Sequence, residues 1–313
     1  MPKSKVICIV GPTASGKTSI SVELAKKLNG EIISADSMQI YKKLNIATAK
    51  VTKEEMQNIK HHIIDICDVT DNFSVADFKN MCYDKIDEIL KRKKVPIIAG
   101  GTGLYISSVV YNMDFKEENI DNEFRESLYN LAKEKSNQYV HDILKDIDPE
   151  SAKLIHPNNL KRVVRAIEMA KNTKKTKSEH MKDEQKRIQN ENSKYNFLIF
   201  YIDHDKELLY DRINKRVDIM VDQGVVDEAK MVYDMKLDRN STCMQAIGYK
   251  EFFPYFEGEI TLEQAIEDLK KDTRKYAKRQ KTWFKNKLDI ICLNANEMTK
   301  EQMLDYIIKK YYD

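Results

Sequence analysis

The sequence predicts an α/β fold: a parallel sheet that carries a phosphate-binding loop (P-loop) and is flanked by helices, with an inserted all-helical domain. Three observations predict it. Short, wholly apolar runs alternate with stretches of helical periodicity in the first third of the chain. The first run leads into a glycine-bearing loop that opens a helix. Every strand signal then disappears across residues 119–195 before another apolar run begins.

Residues 6–10 are continuously apolar and stop at Gly11, the pattern of a strand buried on both faces. A periodic stretch over 17–28 predicts a helix. Runs at 31–35 and 95–99 repeat the strand theme, and Phe78, Cys82, Ile86 and Leu90 between them mark a helix over 76–91. Residues 119–194 are rich in Lys, Glu and Asn with helical periodicity, and 197–202 returns as a short strand. After Asp203 the chain is again mostly helical, with one or two helices over 261–287 and a last one over 299–312. The expected organisation is a P-loop core domain formed by 1–118 and 196–313, interrupted by a helical insertion domain over 119–195. No internal repeat is visible.

The 313 residues suit one large domain or two modest ones. With 53 Lys+Arg against 50 Asp+Glu the net charge is only +3, so global charge selects no class of partner. The 33% charged and 42% apolar content, with 9 Gly and 6 Pro, excludes collagenous and low-complexity chains. Cys8, Cys67, Cys82, Cys243 and Cys292 lie far apart without a C-x-x-C pair, so no structural metal is implied. No apolar run approaches the ~20 residues a bilayer requires, so no membrane role is expected and a reducing cytoplasm is the expected compartment.

Gly11-Pro12-Thr13-Ala14-Ser15-Gly16-Lys17-Thr18 fits G-x-x-x-x-G-K-[ST] between a predicted strand and a predicted helix. Glycines let the backbone wrap closely around phosphate oxygens, the helix N-terminus adds partial positive charge, and Lys17 adds a full one. Thr18 is placed to hold Mg²⁺ through its hydroxyl. Kinases, ATPases, GTPases and pyrophosphate-releasing transferases all use such a loop. The strand that would supply a second metal-binding acid ends instead in Gly100-Gly101-Thr102-Gly103, which counts against nucleotide hydrolysis.

Ser34-Ala35-Asp36-Ser37-Met38-Gln39-Ile40-Tyr41-Lys42 follows the second strand, beyond whose carboxyl end a doubly wound sheet presents its ligand crevice. A carboxylate at Asp36 can bind metal, cap a turn or take a proton, and position alone leaves the three open. Residues 270–287 hold nine Lys/Arg against the single acid Asp272, the footprint expected for a phosphate backbone. Tyr276, Trp283 and Phe284, interleaved with these charges, are expected to face the core. Lys171, Lys174, Lys175 and Lys177 form either a solvated face or a source of non-specific affinity. His61 and His62 lack a third ligand at metal spacing and are expected to be structural.

Seven blocks together resemble the bacterial tRNA dimethylallyltransferases, also called tRNA isopentenyltransferases or IPP transferases. They are GPTASGKT at 11–18, SADSMQIYK at 34–42, HHIID at 61–65, AGGTGLY at 99–105, IHPNNLKRVVRAIE at 155–168, AIGYKE at 246–251 and DTRKYAKRQKTWF at 272–284. They span nearly the whole chain, and only the first is generic. Asn159 stands where the family commonly has Asp.

The resemblance implies that the loop 11–18 holds the diphosphate of dimethylallyl diphosphate. It further implies that the prenyl group passes to N6 of the adenosine 3′ of a tRNA anticodon. Asp36 would accept the N6 proton, because an amine conjugated to a purine is a poor nucleophile without a positioned acceptor. Thr13 would contact the bridging oxygen, while Lys17, Arg216 and a Thr18-bound Mg²⁺ would stabilise the departing charge. On sequence alone Arg216, in DRINKRVDIM, reads equally as a solvated helix charge.

The same resemblance places tRNA against Asp36, Ser37, Met38, Gln39, Thr102 and Arg125, and against Lys161, Arg162, Val163, Val164 and Arg165. It adds Gln245, Gly248, Arg274, Lys278, Arg279 and Gln280. The partner would be an anticodon stem-loop whose target base is splayed out, and a monomer is expected. A free-nucleotide prenyltransferase would need the same Asp36 but little of the basic surface. A P-loop kinase or ATPase is disfavoured by the missing acid, and a non-enzymatic tRNA-binding module would leave Lys17 and Asp36 without a task.

Overall fold

In the computed structural model, residues 3–115, 121–173, 175–179, 193–238 and 241–313 are described. Lys174 and the expected boundary at 118/119 lie outside them. Two compact units are formed, Met1–Asn112 with Ser193–Asp313, and Met113–Asn192.

The first unit is built on six parallel strands: β1 (Lys5–Val10), β2 (Gly30–Ser34), β3 (His61–His62), β4 (Val95–Gly100), β5 (Asn196–Asp203) and β6 (Ile291–Asn294). Their spatial order is β3-β2-β4-β1-β5-β6, which puts the first strand between β4 and β5. The apolar runs of the sequence become the inner strands because both faces of the sheet are covered. Val6, Cys8 and Val10 of β1 pack with Phe78, Cys82 and Ile86 of the Val75–Lys91 helix. Ile7 and Ile9 point the other way, against Ile20 and Leu24 of the Lys17–Leu28 helix and Leu304 and Ile307 of the Lys300–Tyr312 helix.

Helix starts are set by local chemistry. Ser74 and Asp77, and likewise Thr299 and Gln302, form capping boxes. The Lys17–Leu28 helix differs: it starts at Gly16, in the left-handed region at φ 91°, with no side-chain cap, so its first-turn N–H groups are left for another partner.

One alternative of the sequence reading is resolved, and two strands are added to it. Residues 262–287 form one 26-residue helix, Leu262–Lys287. The edge strands β3 and β6 were not expected. β3 spans two histidines and carries no apolar run, whereas β6 does follow one, Ile290-Ile291-Cys292-Leu293, a short signal that the sequence reading passed over.

The second unit packs the helices Asn122–Glu134, Asn137–Ile147, Pro149–Leu154 and Leu160–Thr173 around Leu128, Val140, Leu144 and Ile167. Two residues expected at the RNA face lie in this core instead: Val163 and Val164 are 0% and 1% exposed, because they fall on the apolar stripe of their helix. Arg125 and Arg165 both reach the buried Glu168 carboxylate, at 2.8 and 2.9 Å, so part of their charge neutralises an interior acid.

Candidate active site

Register brings the site together. Val10 pairs with Gly100 and Ser34 with Ala99, so β1, β2 and β4 end at one level, and the loops carrying residues 11–18, Asp36–Gln39 and Gly101–Thr102 emerge side by side.

The P-loop is held through its carbonyl groups, by its own lysine and by side chains from outside it. Lys17 Nζ donates to Pro12 O at 2.7 Å, Arg212 Nε to Ala14 O at 2.8 Å, and His204 Nε2 lies 3.0 Å from Ser15 O. Oε1 of Gln280 accepts the Thr13 N–H at 2.9 Å. Burial, with the nearby charge of Arg216, pulls the Lys17 ammonium down to about 7, and the Asp36 carboxylate opposes this. Burial also lowers Arg216, whose charge is supported chiefly by Asp36. Lys17, Arg216 and Asp36 are therefore electrostatically coupled, and Arg216 is partly buried at the cavity beside the loop rather than fully solvated. An anion of high charge density would satisfy both cations.

Next to the loop lies a cavity of about 790 Å³. Residues 14–19 form one side of it, with Thr18 among them, and Arg212, Lys215 and Arg216 add positive charge. Ile46, Ala49, Ile219 and Met220 supply apolar wall.

Asp36 forms a local turn, its Oδ1 accepting the N–H groups of Met38 (2.9 Å) and Gln39 (3.4 Å). The capping role is thus realised by one oxygen. The turn is braced by Thr102, whose hydroxyl accepts the Ser37 N–H at 3.0 Å. Gln39 Nε2 donates to Thr48 O and Ala49 O, both at 3.2 Å. Tyr276 lies close by, with Thr102 and Gln280 as polar neighbours; burial and the Asp36 charge raise its phenol.

The basic stretch is less positive than its sequence. Lys270 pairs with Asp218 and Glu267, Lys271 with Asp268, and Lys275 with Asp272. Lys281 and Lys285 both reach Asp203, at 2.7 Å, and although burial opposes it they hold that carboxyl below its usual range. Arg274 donates to Asn214 at 2.6 Å. Among the described residues, Lys278 and Arg279 are exposed and carry no ion pair, Arg279 resting 5.7 Å from the Tyr276 ring. Phe284 is fully buried and Trp283 Nε1 donates to Ser107 Oγ at 3.1 Å, as their helical spacing suggested.

Two further residues expected at tRNA sit inward. Gln280 is only 6% exposed, and Gly248 is buried with its N–H on Glu251; Gln245 is exposed. His62 contacts Glu31 at 2.7 Å and His61 Nδ1 lies 2.9 Å from Ile59 O, in keeping with structural roles.

Sequence reasoning missed Glu228. Its carboxylate accepts the N–H groups of Asn45, Ile46 and Ala47 at 2.9–3.0 Å, and so fixes the loop that walls the cavity. No sequence signal links residues so far apart. For Gln280 one existed: a polar residue on the apolar face of an amphipathic helix.

A family model described as IPP transferase matches residues 39–287. A curated tRNA dimethylallyltransferase from Acetivibrio thermocellus is 48% identical over 306 residues, covering 98% of this chain and 96% of the relative. The one from Bacillus subtilis is 45% identical over 313 residues, 98% of each. Among solved structures, the tRNA delta(2)-isopentenylpyrophosphate transferase of Staphylococcus epidermidis superimposes with a TM-score of 0.72 at 48% identity, covering 98% of both chains. A eukaryotic dimethylallyltransferase acting on tRNA gives 0.80 at 29% identity, covering 97% of this chain and 78% of the other.

Proposed function

Because the chain belongs to the IPP transferase family, we propose that it is a tRNA dimethylallyltransferase. It moves the dimethylallyl group of dimethylallyl diphosphate to N6 of the adenosine 3′ of the anticodon and releases diphosphate. The observation that carries the reading is that the P-loop and the Asp36 turn emerge from the ends of β1 and β2, on either side of β4, with Arg216 of the Lys206–Asp222 helix coupled electrostatically to Lys17 and Asp36.

The diphosphate lies in the loop 11–18, against the uncapped first turn of the Lys17–Leu28 helix. The extruded adenosine presents N6 to Asp36 from the opposite side. As the N6–carbon bond forms, the carbon–oxygen bond to diphosphate breaks and the electron pair leaves with the oxygen. The N6 proton passes to Asp36, whose Oδ1 remains engaged in the turn. Thr13 takes the bridging oxygen, and Lys17 and Arg216 meet the charge that develops on the leaving group.

Thr18, exposed at the cavity, offers one hard oxygen ligand, and among the described residues no group of three His, Cys, Asp or Glu gathers to hold a metal ion. That donor set fits Mg²⁺ brought in with the diphosphate rather than caged by protein. When bound, Mg²⁺ supplies positive charge to the diphosphate oxygens.

The anticodon stem-loop meets Asp36, Ser37, Met38, Gln39 and Thr102 around the target base. Lys278 and Arg279 contact its backbone, and in the helical unit Lys161 and Arg162, both exposed, do the same. No helix of the described residues is long and apolar enough to cross a membrane; a tRNA substrate suits a cytoplasmic enzyme, which we take to act as a monomer.

Incubation with labelled dimethylallyl diphosphate and a choice of unmodified tRNA, AMP, or ATP with an acceptor tests this. Label on tRNA with diphosphate release is the expected result. Label on AMP alone, or phosphate transfer from ATP, overturns it.

A further inference from the structure

Gln280 sits 6% exposed within the Leu262–Lys287 helix and makes two opposite hydrogen bonds. Oε1 accepts the Thr13 N–H at 2.9 Å, and Nε2 donates to Gly101 O at 2.9 Å. A backbone N–H can only donate and a carbonyl can only accept, so the amide orientation is forced, and among side chains of this length an amide meets both at any pH whereas a carboxyl does so only when protonated. Gly101 independently reports the tightness of the fit, since a Cβ added there would lie 2.3 Å from Nε2.

The two backbone groups belong to opposite sides of the reaction. Thr13 belongs to the loop that takes the donor. Gly101 precedes Thr102, whose hydroxyl holds the Ser37 N–H beside Asp36. One buried amide therefore spans the donor loop and the acceptor turn.

We propose that Gln280 is a positioning residue that sets the spacing between Thr13 and the Asp36 turn, and so the approach of N6 to the allylic carbon, rather than a residue that binds tRNA. This rests on the prenyl-transfer reading above. Nothing reacts at Gln280; it acts through the backbone of its two partners. Misplacing reacting groups by about 1 Å costs up to about 100-fold in turnover without loss of affinity.

The test compares wild type, Gln280→Glu, Gln280→Met and Gly101→Ala. It reads kcat, KM for dimethylallyl diphosphate, tRNA Kd and thermal unfolding between about pH 8 and about pH 6. At the upper pH, Gln280→Glu sets a carboxylate against the Gly101 carbonyl, and kcat is expected to fall about 10- to 100-fold with donor KM and tRNA Kd within about threefold of wild type. As pH falls, the carboxyl takes a proton, regains a donor for Gly101 O, and its kcat relative to wild type recovers. Tyr276 is the titratable neighbour of the amide, and its raised phenol stays neutral through this window. Gln280→Met loses kcat at every pH without recovery. Gly101→Ala, which displaces the amide and leaves residue 280 intact, lowers kcat in the same way and keeps the test open should the Gln280 variants fold poorly.

A loss confined to tRNA affinity, an unchanged kcat in Gln280→Glu, or equal losses in Glu and Met at all pH values would overturn the proposal. Wild-type protein that transfers no prenyl group to tRNA would instead sink the underlying reaction, and the proposal with it.

Discussion

The Tyr249 hydroxyl donates a 2.8 Å hydrogen bond to Glu228, which also accepts the N–H groups of Asn45, Ile46 and Ala47. The wall of the cavity beside the P-loop is thus tied to the Val225–Asp234 helix and to the AIGYKE motif through one carboxylate. Removing it leaves three backbone donors without their acceptor. Glu228→Ala is expected to cost about 2–3 kcal/mol of stability and to raise the donor KM several-fold. Tyr249→Phe, which deletes one bond, costs about 1 kcal/mol. Thermal denaturation and donor saturation curves check both.

A second prediction concerns acid stability. Glu31 is 2% exposed; burial works against its charge, but bonds from Arg92, His62 and Lys94 win and hold its carboxyl at about 2 against 4.5 when free. A depressed carboxylate stabilises the fold above its unfolded value, and that contribution is lost as pH falls toward the folded value. Wild type should therefore exceed Glu31→Gln in stability at neutral pH, by about 3 kcal/mol at most, with the gap closing between about pH 4.5 and about pH 2. Denaturant unfolding across that range measures it; a constant gap contradicts it.

Lys17 gives a prediction about binding. Burial and then Arg216 lower its ammonium to about 7 in the free protein, so its charge is weakly held near neutrality. Diphosphate favours the charged form, so donor binding takes up a proton above that pH, and the donor Kd rises with pH by up to about tenfold per unit. Calorimetry in buffers of differing ionisation enthalpy detects the uptake. Lys17→Met should abolish it.

The ion pairs of the basic helix separate residues that look alike in sequence. Arg279→Ala should weaken tRNA binding and reduce the salt slope by about 1. Lys281→Ala should change both less, because Lys281 is already paired with Asp203. Equal effects would return the whole stretch to the RNA face.

How much of this was legible in sequence follows from how local each signal is. The inner strands and the glycine loop are written in consecutive residues, and both formed where expected. The Asp36 turn was placed because it follows a strand. The partners of the basic stretch were not legible, since Asp203 and Asp218 come from other elements. The same applies to Glu228, whose acceptor geometry exists only once the Asn45–Ala47 backbone reaches it. Val163 and Val164 show the reverse case: a motif placed them at a surface that their own helical periodicity assigns to the core.

Asp36→Asn tests the central claim most directly. The amide oxygen still accepts the N–H groups of Met38 and Gln39, so the turn survives while the proton acceptor is lost. Single-turnover transfer of labelled dimethylallyl to tRNA should slow by about 100- to 10,000-fold with tRNA and donor Kd unchanged. Transfer at the wild-type rate, or a loss carried wholly by tRNA affinity, would contradict the account.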